Sequence, residues 1–230
     1  MVGLIFIVLG VTMIFGMPIV MGMVLSAMTP MILGSRAGGS INQMITNSFS
    51  GADTTPIIAV PLFILAGVIM AEGGISRKLF RVFAYFVGRF TGGLPCAVIL
   101  TCLFYGAISG SGPATTAAVG AMAIPFLIEL GYDKVFCAGM VATAGGLGVI
   151  IPPSIPFVLY SLATGVSTSA LFIGGVLPGV FIGVCLMAYA VWYCRRHGEN
   201  REKIDATLNE MQKLGFLRIL WSSLPALMSP

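Results

Sequence analysis

The chain has 230 residues, of which 57% are hydrophobic and only 9% charged, against roughly 25% charged in a soluble globular domain. That balance excludes a soluble fold and identifies an integral membrane protein. The net charge of +4 reports topology and not a nucleic-acid partner: all but Arg36 and Lys134 of the twelve Lys and Arg fall in two stretches, Arg77 to Arg89 and Arg195 to Arg218, and loops rich in such residues stay cytoplasmic.

A bilayer core of about 30 Å takes roughly 20 helical residues. The opening MVGLIFIVLG has no basic leader and no small-residue cleavage site, and its apolar run continues to residue 33. It reads as a retained membrane segment with a tilt or kink at Gly16-Met17-Pro18. A polar connector follows, GSRAGGSINQMITNSFSGADTTP, with room for a short interfacial helix, and then a second crossing, PIIAVPLFILAGVIMA, over 56–71. Residues 1–75 thus form N-terminal membrane helices of a scaffold type. Over 76–90 the sequence SRKLFRVFAYFVGRF places Arg77, Lys78, Arg81 and Arg89 among aromatic side chains. Four cations forbid deep burial while the aromatics favour the headgroup zone, which predicts an interfacial amphipathic arm helix within 76–92.

The next two segments do not make whole crossings. Residues 94–108 and 113–128 are 15 and 16 residues, about 22 to 24 Å as helices, too short to span comfortably. Joined by Ser109-Gly110-Ser111-Gly112, they predict a re-entrant hairpin over 94–128. The stretch 135–165 is one crossing broken in its middle by Gly145, Gly146, Gly148, Pro152, Pro153 and Pro156. A full crossing over 170–194 ends at Trp192, Tyr193 and Arg195-Arg196, an interfacial stop. Residues 195–213 read as a mixed-charge cytoplasmic loop, and the apolar run 214–230 as the start of a further repeat. The five cysteines, Cys96, Cys102, Cys137, Cys185 and Cys194, form no C-x-x-C pair and have no histidine at ligand spacing, so they read as small buried hydrophobes. The fold class is an all-α integral membrane bundle with a re-entrant helical hairpin and a broken transmembrane helix.

Non-helical chain at membrane depth survives only where protein or a water-filled cavity surrounds it. Interrupted segments near the midplane are the pattern of secondary transporters, whose half-helix N-termini face anionic substrates while exposed carbonyls coordinate cations. Here Ser111 or Gly112 can cap a helix opening at Pro113, with Thr115 and Thr116 in its first turn. At the second break Gly145, Gly146 and Gly148 can turn carbonyls toward an ion, and Ser154 opens the following half-helix. Carbonyls and hydroxyls suit Na⁺, and no acidic residue falls in either break to carry a proton instead. Small residues of this kind also mark close helix packing; two clusters, each joined to proline and each interrupting a helix, favour a binding centre.

The runs LFYGAISGSGPATTAAVGAMAIP, ATAGGLGVIIPPSIPFVLY, AVPLFILAG and ALFIGGVLPG together resemble the large membrane subunit of tripartite ATP-independent periplasmic (TRAP) transporters, the DctM-like permeases, in the same order from about residue 1 to residue 230. The resemblance implies an elevator-type secondary transporter built from two inverted repeats in the bacterial inner membrane. It implies a small four-helix membrane subunit and a periplasmic substrate-binding protein as partners, an organic anion such as a dicarboxylate as substrate, Na⁺ as coupling ion and no organic cofactor. It assigns Ser109, Gly110, Ser111 and Gly112 to a Na⁺ site at the hairpin tip, faced by Gly145, Gly146, Gly148 and Pro152, with Pro113, Thr115 and Ser154 nearer the substrate. Members of that family carry a second hairpin and a second broken helix. The resemblance is therefore to an N-terminal half, whose site a second-repeat segment or partner chain would complete.

The alternatives are another Na⁺-coupled anion symporter of elevator type, an intramembrane serine hydrolase, a channel and a structural membrane subunit. A hydrolase using Ser109 or Ser111 needs a base within hydrogen-bond reach. The one histidine, His197, lies beside Arg195-Arg196 in a polar loop, and no acid or lysine lies in the apolar core. Neither GSGPATT nor GGLGVIIPP carries the lysine of a P-loop or the spacing of a dinucleotide turn.

Overall fold

The computed structural model describes residues 2–32, 42, 45–46, 49–50 and 55–213, and every element among them is a helix. The chain divides into two compact units, 1–54 and 55–230. Most of the connector lies outside the described residues, those at 42, 45–46 and 49–50 being helical, and the expected further repeat over 214–230 lies outside them altogether.

In the first unit, α1 (Val2–Ile14) and α2 (Ile19–Ile32) form two short helices where the sequence suggests one kinked crossing. A Cβ on Gly22 would lie 2.7 Å from Thr12 Oγ1 and 3.5 Å from Leu9 Cδ1, so α2 folds back along α1. Pro18 disfavours helix at the residue before it. Gly16, at φ 72°, then closes α1 with a paired end motif in which Met17 N–H donates to Thr12 O and Gly16 N–H to Met13 O. Phe6, Ile7, Ile14, Val20 and Met21 stay exposed on this pair.

The second unit holds α3 (Thr55–Glu72), α4 (Ile75–Val87), α5 (Gly93–Ser109), α6 (Gly112–Glu129), α7 (Lys134–Gly145), α8 (Leu147–Ile150), α9 (Ile155–Thr164), α10 (Thr168–His197) and α11 (Arg201–Lys213). α10 is the yardstick: its 30 residues extend about 45 Å, enough to cross a bilayer. Its buried positions Gly175, Gly179 and Gly183 recur every fourth residue and admit a second backbone or large side chain closely. A Cβ at Gly183 would meet Leu103 of α5 at 3.0 Å, at Gly179 Ile151 at 2.6 Å, and at Gly175 the Ile150 carbonyl at 2.6 Å. The opposite face, with Ile173, Leu177, Val180, Phe181 and Val184, is exposed hydrocarbon suited to lipid.

Against that yardstick α5 and α6 form the hairpin. Gly92, just before α5, packs on Val191 near one end of α10. Gly92 N–H and Tyr132 O–H, which follows α6, both donate to Glu199 just past the same end, at 2.9 and 2.6 Å. Both feet therefore stand at the basic end of α10. The tip reaches the break after α8, which lies beside Gly175 and Gly179 and so well inside the length of α10. The helices of the hairpin, 17 and 18 residues, run slightly longer than the sequence suggests, because α5 also takes in Gly93 and Ser109 and α6 takes in Gly112 and Glu129. The broken crossing is likewise present: α7–α8 and α9 meet at 42°.

The arm helix differs in what it packs on. α4 does segregate its residues, but Leu79, Phe80, Val82 and Ala84 are buried against protein, with Phe80 edge-on to Phe126 of α6 at 5.3 Å and Phe83 at 5.0 Å from Phe104 of α5. Arg77 and Arg81 are exposed. The expected loop over 195–213 contains α11. Its buried Ile204 and Leu208 lie four residues apart on one face, and Leu208 stands against Gly88 at the end of α4. Of the cysteines, Cys96, Cys102, Cys137 and Cys194 are buried and Cys185 is exposed on α10.

Candidate functional site

The hairpin tip and the helix break meet inside the second unit. α5 ends with Gly110 at φ 61°, whose N–H donates to Gly106 O at 2.8 Å. Ser111 then takes an extended conformation and its hydroxyl accepts from Ala114 N–H, making it the N-cap of α6, with Gly112 first and Pro113 second in the helix. Across the break the same grammar recurs: Ser154, extended at φ −130°, ψ 124°, accepts from Phe157 N–H and caps α9, with Pro156 second. A Ser-x-Pro opening puts a hydroxyl and a proline where a helix start uses both. The two capped N-termini are tied by main chain, since Ile155 N–H donates to Gly110 O at 3.2 Å.

The glycines of α5 and α8 account for how closely these elements pass. A Cβ on Gly148 would stand 2.7 Å from Thr115 Oγ1 and 2.9 Å from Gly106 Cα, and one on Gly106 would collide with Gly148 Cα. A Cβ on Gly112 would stand 2.8 Å from Val149 Cγ2 and 3.4 Å from the Gly145 carbonyl, and Gly145 itself packs on Thr116. Only backbones without side chains approach this way.

Polar bonding within the site is directional. Ser109 and Thr115 hydroxyls are 3.0 Å apart and both fully buried. Thr115 Oγ1–H donates to Ser111 O at 2.8 Å, Thr116 to Gly112 O at 3.0 Å, and Ser154 to Val149 O at 2.5 Å. Hydroxyls that spend their protons on backbone carbonyls keep acceptor lone pairs, the surface a hard cation uses. No ionised side chain lies on the tip or in the break, where the N-termini of α6 and α9 present positive ends; Glu72 of α3 lines the cavity beside them.

Of the residues singled out by sequence, Ser109, Gly110, Ser111, Gly112, Thr115, Gly145, Gly148 and Ser154 lie at this meeting point, and Gly146 joins α7 to α8 beside it; Pro113, in the first turn of α6, is exposed and has no described contact across the break. The carbonyl facing Gly110 belongs to Pro153, where a Cβ on Gly110 would stand 3.0 Å away; no described contact draws Pro152 to the tip. Ser109 and Thr115 share a bond, so the residues assigned to ion and to substrate are contiguous. His197 stacks on Tyr193 at 4.1 Å and bonds Tyr193 O at the far end of α10, with no described bond to either serine.

Sequence reading passed over Tyr105 and Gly67. Tyr105 is buried one turn before Ser109, and its hydroxyl donates to Gly67 O of α3 at 2.9 Å. A Cβ on Gly67 would meet Ser109 Cβ at 3.3 Å, so α3 is the third wall of the site. The available signal was chemical: a phenol inside an apolar helix needs a partner for its O–H. Between α3 and the hairpin lies a cavity of about 370 Å³ lined by Phe63, Ile64, Val68, Glu72, Tyr105, Ser109 and Ser111 among others.

Comparison with known proteins bears on this arrangement. The family model for the DctM component of the tripartite ATP-independent periplasmic transporter matches residues 6–230. The chain is 42% identical over 220 residues to an isethionate TRAP transporter permease protein, DctMQ, of Oleidesulfovibrio alaskensis, covering 95% of this chain and 33% of that one. It is 41% identical over 187 residues to the C4-dicarboxylate TRAP transporter large permease protein DctM of Vibrio cholerae, covering 81% and 41%. To the 2,3-diketo-L-gulonate TRAP transporter large permease protein YiaN of Escherichia coli it is 36% identical over 173 residues, covering 75% and 40%. The chain thus spans about a third to two fifths of the length of these relatives.

Proposed function

The chain belongs to the DctM component family of tripartite ATP-independent periplasmic transporters, and on that premise we propose that it supplies the Na⁺-binding hairpin and first broken helix of a large permease subunit. The family is one of multi-pass membrane transport components and not of enzymes. In this reading the substrate is a small organic acid, delivered by a periplasmic binding protein to a permease paired with a small membrane subunit in the inner membrane.

One observation carries the proposal: two serine-capped half-helices, α6 and α9, begin side by side around glycine backbone and hydroxyl oxygens. Ser109, Ser111 and Thr115 hydroxyls with the backbone of Gly110 and Gly145 to Gly148 would hold Na⁺, because oxygen ligands without a carboxylate suit that ion. The paired positive helix ends would then favour an anion nearby. An organic acid as substrate accords with the relatives' names, which specify isethionate, C4-dicarboxylate and 2,3-diketo-L-gulonate. An elevator movement of the hairpin with α7 to α9 past α3 is part of the proposal; Tyr105 and Gly67 would lie on that sliding surface.

The test is uptake by the assembled transporter, with its binding protein, in proteoliposomes with Na⁺ replaced by K⁺. Uptake should collapse, and a Ser111→Leu variant should fold yet transport nothing. Equal uptake in K⁺ would refute the ion assignment.

A further inference from the structure

Away from the tip, at the feet of the hairpin, one carboxylate joins four segments of the chain. The Glu199 side chain is 2% exposed. Its Oε1 accepts from Gly92 N–H at 2.9 Å, immediately before α5, and from Tyr132 O–H at 2.6 Å, just after α6. Its Oε2 lies 3.4 Å from Arg201 Nη2 at the start of α11. Arg201 in turn donates to Arg89 O at 3.0 Å and to Thr91 Oγ1, on the strip of chain that leads from α4 into α5. Burial, and then the bond to Glu199, push the Tyr132 phenol up, so it remains a donor.

A buried charge is costly unless it is paired and hydrogen-bonded, and removing one partner leaves the others unsatisfied. The carboxylate is therefore matched through Oε1 to two donors, Gly92 N–H and Tyr132 O–H, that belong to the two ends of the hairpin, while Oε2 makes only the ion pair to Arg201 of α11. We propose that Glu199 is a positioning residue: it clamps both feet of the hairpin to the end of α10, so that the site at the tip is held in register from the base. The clamp follows from the geometry of the feet and holds whether or not the tip binds Na⁺.

Hydrogen exchange on the assembled transporter, read by mass spectrometry, tests this with Glu199→Ala, Glu199→Gln and Tyr132→Phe. Glu199→Ala should speed exchange about tenfold in the feet, 90–96 and 128–136, and also at the tip, 108–113, while α10 between 175 and 190 keeps its protection. Glu199→Gln, which still accepts from Gly92 and Tyr132, should restore the tip to near wild type. Tyr132→Phe, which removes a single bond, should show the same pattern more weakly and serves if Glu199→Ala does not fold. Feet that open while the tip stays fully protected, or feet that do not open, would overturn the proposal. A tip loosened in Glu199→Ala with uptake indifferent to Na⁺ would uphold the clamp and sink only the ion assignment.

Discussion

At Gly106 and Gly148 two backbones pass with no room for a methyl group between them. Gly106→Ala and Gly148→Ala should each destabilise the protein by about 1–3 kcal/mol, the ordinary cost of overpacking a tight contact. Gly139, on the open side of α7, meets nothing within 4 Å; Gly139→Ala should leave stability level or raise it by about 0.5–1 kcal/mol. Thermal unfolding of the three variants in detergent checks the contrast, and equal losses would show that glycine there serves no close approach. At this scale the sequence was legible wherever a residue breaks a helix. Ser111 and Ser154 announce themselves by a proline two residues on. Tyr105 and Gly67 do not, because a tyrosine and a glycine in apolar helices look alike whether they meet a site or a neighbour. Glu199 is hidden for a related reason: in a polar stretch one acid resembles the next until the fold buries it.

Helices were readable from length and apolar content, and their partners were not. The pattern of α4 fits a membrane surface and a protein surface equally well, because a bilayer and a packed core select the same segregation of residues; which of its apolar residues meet protein is seen only in contacts such as Phe80 with Phe126 and Phe83 with Phe104. The first unit shows the opposite difficulty. Its apolar run marks a kink at Gly16-Met17-Pro18 but not that the chain turns there far enough to lay α2 back along α1. α10 is the element whose two faces make the clearest demand. Gly179→Leu would drive a side chain into Ile151, 2.6 Å from where the first added carbon would stand, whereas Leu177, 80% exposed, faces away. Gly179→Leu should abolish folded protein in the membrane fraction, and Leu177→Ala should leave its level within about twofold, since surface substitutions away from packing usually change stability by no more than 0.5 kcal/mol. Fluorescence-detected size exclusion of the two variants measures this.

For the second unit as a whole, the feet of the hairpin and the basic end of α10 should share a side of the membrane. Lysines and arginines in loops select the cytoplasm, and Arg195, Arg196 and Arg201 stand at that end. In a background lacking exposed Cys185, cysteines placed at Lys134 and Arg196 should react with a membrane-impermeant maleimide only in inside-out vesicles. A cysteine at Val166, between α9 and α10 and exposed, should react only in right-side-out ones. Labelling of Lys134 and Arg196 from opposite sides would contradict the placement of the second foot, at Tyr132, beside the basic end of α10. Charge clustering made this topology readable before any helix was placed, while the depth of the tip needed the contacts of α10.

The bond from Ile155 N–H to Gly110 O joins the tip to the second half-helix through main-chain atoms alone. Gly110 is held by its left-handed φ of 61°, but at position 155 the side chain can change without severing the bond, which asks there only for an amide hydrogen. The one residue that lacks this hydrogen is proline, which the first position of a helix would otherwise welcome. Among relatives, tip and break can thus stay joined while the residues around them diverge, so that ligand preference is free to evolve without the joint being rebuilt each time.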